Sequence, residues 1–148
     1  MPGLPPLRFN LSHTTGLVAC AVALSDDVGI DIEWNRRPAP IAVARRFFTD
    51  AEAAAILSLP SSERDERFFL YWTLKEAYVK AKGVGLLLPF DSFCFHVDPE
   101  NLNHIVLESS EDDPRMWRLV SWVLGEHRCS LAVRRPETPD IVHHEWQL

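Results

Sequence analysis

The segment from Ser61 to Lys82 constrains this chain more than any other, because it reads as one long helix with firm ends. Pro60 closes the preceding segment, Ser61 or Ser62 can cap the helix, and Gly83 supplies a C-terminal stop. Leu70, Leu74, Ala77 and Ala81 share one stripe, the natural face for packing on a sheet. Phe69, Trp72 and Glu76 lie away from it. A helix apolar on more than one side is buried on more than one side, which predicts either more of this domain or a partner above it. Glu76 and Lys80 stand one turn apart, in the order that favours a surface pair worth a few tenths of a kcal/mol.

The rest of the chain reads as strands and short helices. Leu17 to Leu24 and Val28 to Trp34 are expected to form an antiparallel hairpin turning at Ser25-Asp26-Asp27. Ile41 to Phe48 is a short helix, and Thr49-Asp50-Ala51-Glu52 is a capping box that opens the next. Phe93 to Val97, Ile105 to Leu107, Trp117 to Leu124 and Ser130 to Val133 are strands between polar turns. The fold class is therefore α+β, with an antiparallel sheet packed against a long helix.

With 148 residues, 47% of them hydrophobic, the chain can bury one core without disulfides or metal. A single domain over residues 9–148 follows, with residues 1–8 as a proline-bearing linker. Cys20, Cys94 and Cys129 are unclustered among apolar neighbours and read as reduced core thiols, which points to the cytoplasm. No apolar stretch approaches the ~20 residues that span a bilayer, so no membrane role is expected.

A net charge of −6 argues against a general nucleic-acid binder. The charge is uneven. Arg36, Arg37, Arg45 and Arg46 fall within an acid-free stretch from Trp34 to Thr49, either a solvated face or a patch for an acidic partner. Glu108, Glu111, Asp112 and Asp113 read as a solvated loop.

Asp31 and Glu33 alternate with Ile30 and Ile32, which puts both carboxylates on one strand face. Alone, that pattern describes a solvated edge as well as it describes a metal site. Together with Glu76 and Lys80 it could supply three oxygen ligands and a cation for a magnesium-bound phosphate.

Four segments in order then carry a resemblance: Phe9-Asn10-Leu11-Ser12-His13-Thr14, Gly29-Ile30-Asp31, Phe47-Phe48-Thr49-Asp50-Ala51-Glu52, and Trp72, Lys75, Glu76, Ala77 and Lys80 followed by Gly83 to Pro89. From about Phe9 to Val133 the chain resembles the Sfp-type 4'-phosphopantetheinyl transferases, and specifically the second of their two similar halves. The resemblance implies magnesium-dependent transfer of the phosphopantetheine arm of coenzyme A to a serine of an acyl or peptidyl carrier protein. It also implies roles: Asp31, Glu33 and Glu76 as metal ligands, Glu76 and Lys80 as catalytic groups, and Ser12, His13, Lys75 and Lys80 at coenzyme A. Lys75 lies well round the helix from Glu76, so a structural ion pair is an equal reading of it.

The absent first half implies a homo-oligomer or a partner subunit that lends basic groups, with the arginines above as candidates. Two further readings stay open. One is a non-catalytic coenzyme A-binding or metal-binding subunit or fragment that needs a partner chain, and the other a metal-dependent phosphohydrolase.

Overall fold

In the computed structural model, residues 3–147 are described. Its elements run β1 (Leu7–Thr14), β2 (Leu17–Leu24), β3 (Val28–Trp34), α1 (Ile41–Phe47), α2 (Asp50–Leu57), α3 (Ser61–Lys82), β4 (Phe93–Val97), β5 (Ile105–Ser109), β6 (Trp117–Leu124) and β7 (His127–Arg134). Three sheets are formed among them: β1-β2, β3-β7-β6 and β4-β5, every pairing antiparallel. The α+β expectation holds, with α3 lying across β3 and β7.

The expected hairpin is displaced by one strand. β2 pairs with β1 across a turn at Gly16, which has φ +79°, while β3 pairs with β7, with Asp31 opposite Ser130. Ser25-Asp26-Asp27 links two layers instead. The open edge of β3 is closed by side chains rather than by a strand: the Ile30, Ile32 and Trp34 N–H groups donate to Asn10 Oδ1, Ser12 Oγ and Thr14 Oγ1. Three polar residues at alternate positions of β1 thus satisfy the donors that an unpaired edge leaves open. The linker expected over residues 1–8 ends early, since Leu7 and Arg8 already pair in β1, and its first two residues lie outside the described ones.

Helix α3 is buried nearly all round. On the sheet side, a Cβ on Gly29 would lie 2.0 Å from the Ala77 carbonyl oxygen, so the helix packs directly on β3 backbone. Thr73 reaches the same sheet through Ser130, at 2.7 Å between hydroxyl oxygens. On the far side, Phe68 and Trp72 stack with Phe48, and Phe90 meets Trp72 edge-on. The second apolar side is therefore covered by the chain's own α1–α2 region and the 3₁₀ turn at Phe90, not by a partner.

The helix ends differ from expectation on one point. Gly83 takes the left-handed conformation, φ 68°, and stops α3 as expected. At the start the cap position is Pro60, no side chain caps the helix, and Ser61 is its first residue. Helix α2 does open on the Thr49–Glu52 capping box.

Two surface readings are corrected. Cys94 and Cys129 are buried thiols, but Cys20 is exposed on β2. Asp112 is not solvated: it accepts from Tyr78 Oη and Lys82 Nζ and ties the β5–β6 connection to the end of α3. Among the described residues no helix is long and apolar enough to cross a membrane.

Candidate active site

The site begins at the contact that Gly29 allows. With α3 pressed on β3, Lys80 Nζ reaches Asp31 Oδ1 at 2.8 Å and the Ile30 carbonyl at 3.0 Å. Asp31 is held from the other side by Ser12 Oγ, which donates to Oδ1 at 3.2 Å and accepts from the Ile32 N–H. Its second oxygen, Oδ2, is buried and has no hydrogen-bond partner. Burial pushes the Asp31 carboxyl up to about 7 against the pull of Lys80, and the nearby Glu76 and Glu33 carboxylates add to the rise.

Glu33 and Glu76 border the same spot. Glu33 Oε1 accepts from Trp72 Nε1 at 3.1 Å and Oε2 from Arg37 at 3.0 Å, so the carboxylate is oriented by two donors. Glu76 is half-buried; desolvation raises its carboxyl above the ordinary range, Lys80 lowers it and Glu33 raises it. Glu33 and Glu76 thus lie close enough to Asp31 for their charge to reach it. Among the described residues, no three His, Cys, Asp or Glu side chains are gathered tightly enough to hold a metal ion as they stand.

Two expected residues stand elsewhere. Lys75 is fully buried on the opposite side of α3, where Nζ meets Glu52 at 2.9 Å and donates to the carbonyls of Phe93 and Phe90, with the Phe93 ring 4.2 Å away. Burial lowers its pKa, and Glu52 opposes that. No face of this ammonium is open to coenzyme A, so the structure favours the ion-pair reading of Lys75. His13 follows Ser12 on a strand, so alternation turns it to the outer face of the hairpin, away from Asp31.

Sequence reasoning placed Trp72 away from the apolar stripe of α3 and did not foresee its bond to Glu33. Nor did it foresee Arg37 on Glu33, although the i,i+4 spacing of those residues was a readable signal. Arg36 meets Glu126 at 3.4 Å, and both side chains remain exposed. A cleft of about 370 Å³ lined by Thr49, Asp91, Phe93, Cys94 and Glu108 shares no residue with this group.

Comparison with known proteins places the chain. A model described as the 4'-phosphopantetheinyl transferase superfamily matches residues 27–132. The chain is 36% identical to 4'-phosphopantetheinyl transferase Sfp of Bacillus subtilis, over 74% of this chain and 48% of that protein. It is 44% identical to HetI of Nostoc sp., another 4'-phosphopantetheinyl transferase, over 54% of this chain and 34% of the relative. It thus spans about half the length, or less, of these curated relatives. Among solved structures, a holo-(acyl-carrier-protein) synthase of Bacillus anthracis in complex with CoA (3',5'-ADP) superimposes with a TM-score of 0.62 at 23% identity, covering 75% of this chain and 96% of that one. The holo-[acyl-carrier-protein] synthase of Thermotoga maritima gives 0.60 at 24% identity, covering 75% and 64%. These structures share the fold. The matched segment contains β3, α3 and their contact with Asp31, Glu33, Glu76 and Lys80, and the chain belongs to the 4'-phosphopantetheinyl transferase superfamily.

Proposed function

We propose that this chain transfers the 4'-phosphopantetheine arm of coenzyme A to a serine of an acyl or peptidyl carrier protein and releases adenosine 3',5'-bisphosphate. One observation carries the reading: three carboxylates and the Lys80 ammonium converge where α3 crosses β3, inside the segment that matches the family. The carrier serine Oγ forms a bond to the phosphorus that bears the pantetheine arm. The pyrophosphate P–O bond breaks, and its electron pair leaves with the adenosine 3',5'-bisphosphate. A serine hydroxyl is a weak nucleophile, and Glu76, whose burial raises its basicity, takes its proton. Lys80 neutralises charge on the departing group.

Magnesium suits the residues present. Oδ2 of Asp31 is a buried carboxylate oxygen without a partner, and a hard cation prefers such oxygens. Asp31, Glu33 and Glu76 would hold the ion once drawn closer together than they stand here, and when bound it would neutralise pyrophosphate charge. Ser12 holds Asp31 in place and borders the coenzyme site. Lys75 belongs to the supporting structure rather than to coenzyme A. A cytoplasmic location belongs to the same proposal.

Chromatography of coenzyme A reaction mixtures tests the reading. Adenosine 3',5'-bisphosphate should accumulate only when magnesium and an apo carrier protein are both present. Release without a carrier identifies a phosphohydrolase and overturns the transferase assignment.

A further inference from the structure

Arg128 stands on the face of β7 that meets α3, two residues before Ser130, and only 6% of its side chain is exposed. Nη2 donates to Glu66 Oε1 at 3.0 Å, while Nε is buried with no hydrogen-bond partner. The carboxylate that answers this buried cation is itself 63% exposed. A guanidinium withdrawn from water calls for partners on its buried donors, and a solvated glutamate touching one nitrogen leaves that need unmet. The group forms one wall of a hollow of about 140 Å³ between β7, the first turns of α3 and the β4–β5 connection. Leu70 and Arg128 lie at its buried end, Leu59, Arg67 and Leu102 are half-buried, and Glu63 and Glu66 stand exposed at its rim. Burial disfavours the Arg128 charge, Glu66 opposes that, and Arg67 adds a smaller repulsion, so the two guanidinium groups are near enough to feel each other.

We propose that this hollow is a binding site for a short aliphatic monocarboxylate, which takes the Nε–Nη2 edge of Arg128 in place of Glu66. That edge presents two parallel N–H donors at the spacing of a carboxylate's oxygens, and Glu66 uses only one of them. Glu66, largely in water, loses little by swinging away. The three leucines supply an apolar wall for the chain behind the carboxylate. With two arginines and two glutamates the lining is neutral as a whole, so a phosphate dianion finds no surplus of cations, whereas a monocarboxylate needs only the Arg128 edge. At ~30 Å³ per water-sized group the volume admits about five such groups, close to the size of butyrate. The hollow shares no residue with Asp31, Glu33, Glu76 and Lys80, and the inference does not depend on the transferase reading.

Proton–nitrogen NMR of the full chain, without coenzyme A or carrier protein, tests the site by titration with sodium butyrate against sodium chloride at equal ionic strength. The Arg128 Nε–H resonance and the amides of Arg67, Leu70 and Leu102 should shift saturably, with a midpoint on the order of 1–10 mM. Arg128→Lys keeps the charge but removes the fork, and should weaken binding at least about tenfold. Glu66→Gln removes the competing carboxylate and should tighten binding about threefold or more, whereas an Arg128–Glu66 pair of purely structural purpose predicts no gain. Should Arg128→Lys unfold, Glu66→Gln at its exposed position decides alone. No saturation by about 50 mM butyrate, inorganic phosphate binding as tightly as butyrate, unchanged affinity in folded Arg128→Lys, or no gain in Glu66→Gln overturns the proposal.

Discussion

Gly29 and Ala77 touch without an intervening side chain: a Cβ on Gly29 would meet the Ala77 carbonyl oxygen at 2.0 Å and the Ala81 nitrogen at 2.5 Å. Both are helix backbone atoms and cannot swing away. The close approach sets the distance from β3 to α3, and that distance sets the Asp31–Lys80 ion pair. Gly29→Ala is therefore expected to push the helix outward, at a cost of about 2–3 kcal/mol or more. Calorimetry should show Tm lower by roughly 5–10 °C, with transferase activity falling alongside. A variant with wild-type Tm would mean that the helix is not seated on this strand.

The second support of the site is the Lys75–Glu52 pair, in which both side chains are fully buried. Glu52 also accepts from the Phe95 N–H and closes the α2 capping box, so one carboxylate joins α2, α3 and β4. Lys75→Met leaves that carboxylate buried without its cation and should cost about 3–5 kcal/mol. Adding Glu52→Gln to Lys75→Met should recover part of the loss, because the unpaired charge is then gone. Urea denaturation of both single variants and the double measures the coupling, and purely additive losses would exclude a direct pair.

Asp112 makes stability depend on acid. Burial alone would raise its carboxyl, but the bonds from Lys82 and Tyr78 outweigh burial and hold it below 3.8. Since the folded pKa lies below the unfolded one, the contribution is complete above the unfolded value and fades as pH falls through the folded value. Asp112→Asn should thus cost about 1–2 kcal/mol at pH 7, and the gap to wild type should narrow below about pH 4. Denaturation of both proteins at pH 7 and pH 3 decides the matter. An equal gap at the two values would show that the charge of Asp112 plays no part.

Signals carried by neighbours in sequence were readable. The Thr49–Glu52 capping box, the Gly83 stop and the apolar stripe of α3 are local chemistry, and each appears where the residues predict it. The partner of β3 was not readable, because β7 lies about 100 residues downstream and nothing in the spacing of Val28 to Trp34 names it. The short Ser25-Asp26-Asp27 connection favoured a hairpin, and the tertiary pairing overrode it. The carboxylates of the site followed from strand and helix periodicity. The bond from Trp72 to Glu33 depends on how α3 crosses β3, which periodicity leaves open, whereas Arg37 stands only four residues from Glu33.

Within the site the variants should separate roles. Glu76→Gln keeps the shape of the side chain and removes the base, so kcat should fall by about 10² or more with little change in Tm. Lys80→Met should also lower kcat, and it should reduce stability as well, because Asp31 then keeps only Ser12 as a partner. Equal turnover of Glu76→Gln and wild type at saturating magnesium would remove Glu76 from the chemistry.

Intact-mass spectrometry of an apo carrier protein, incubated with this chain, coenzyme A and magnesium, tests transfer itself. Carriers of fatty-acid, polyketide and nonribosomal-peptide synthesis should be offered in parallel. At least one should gain the mass of a single phosphopantetheine arm on its serine, with no gain when Asp31→Ala replaces wild type or a chelator replaces magnesium. A folded wild-type chain that leaves every carrier unmodified would contradict the account.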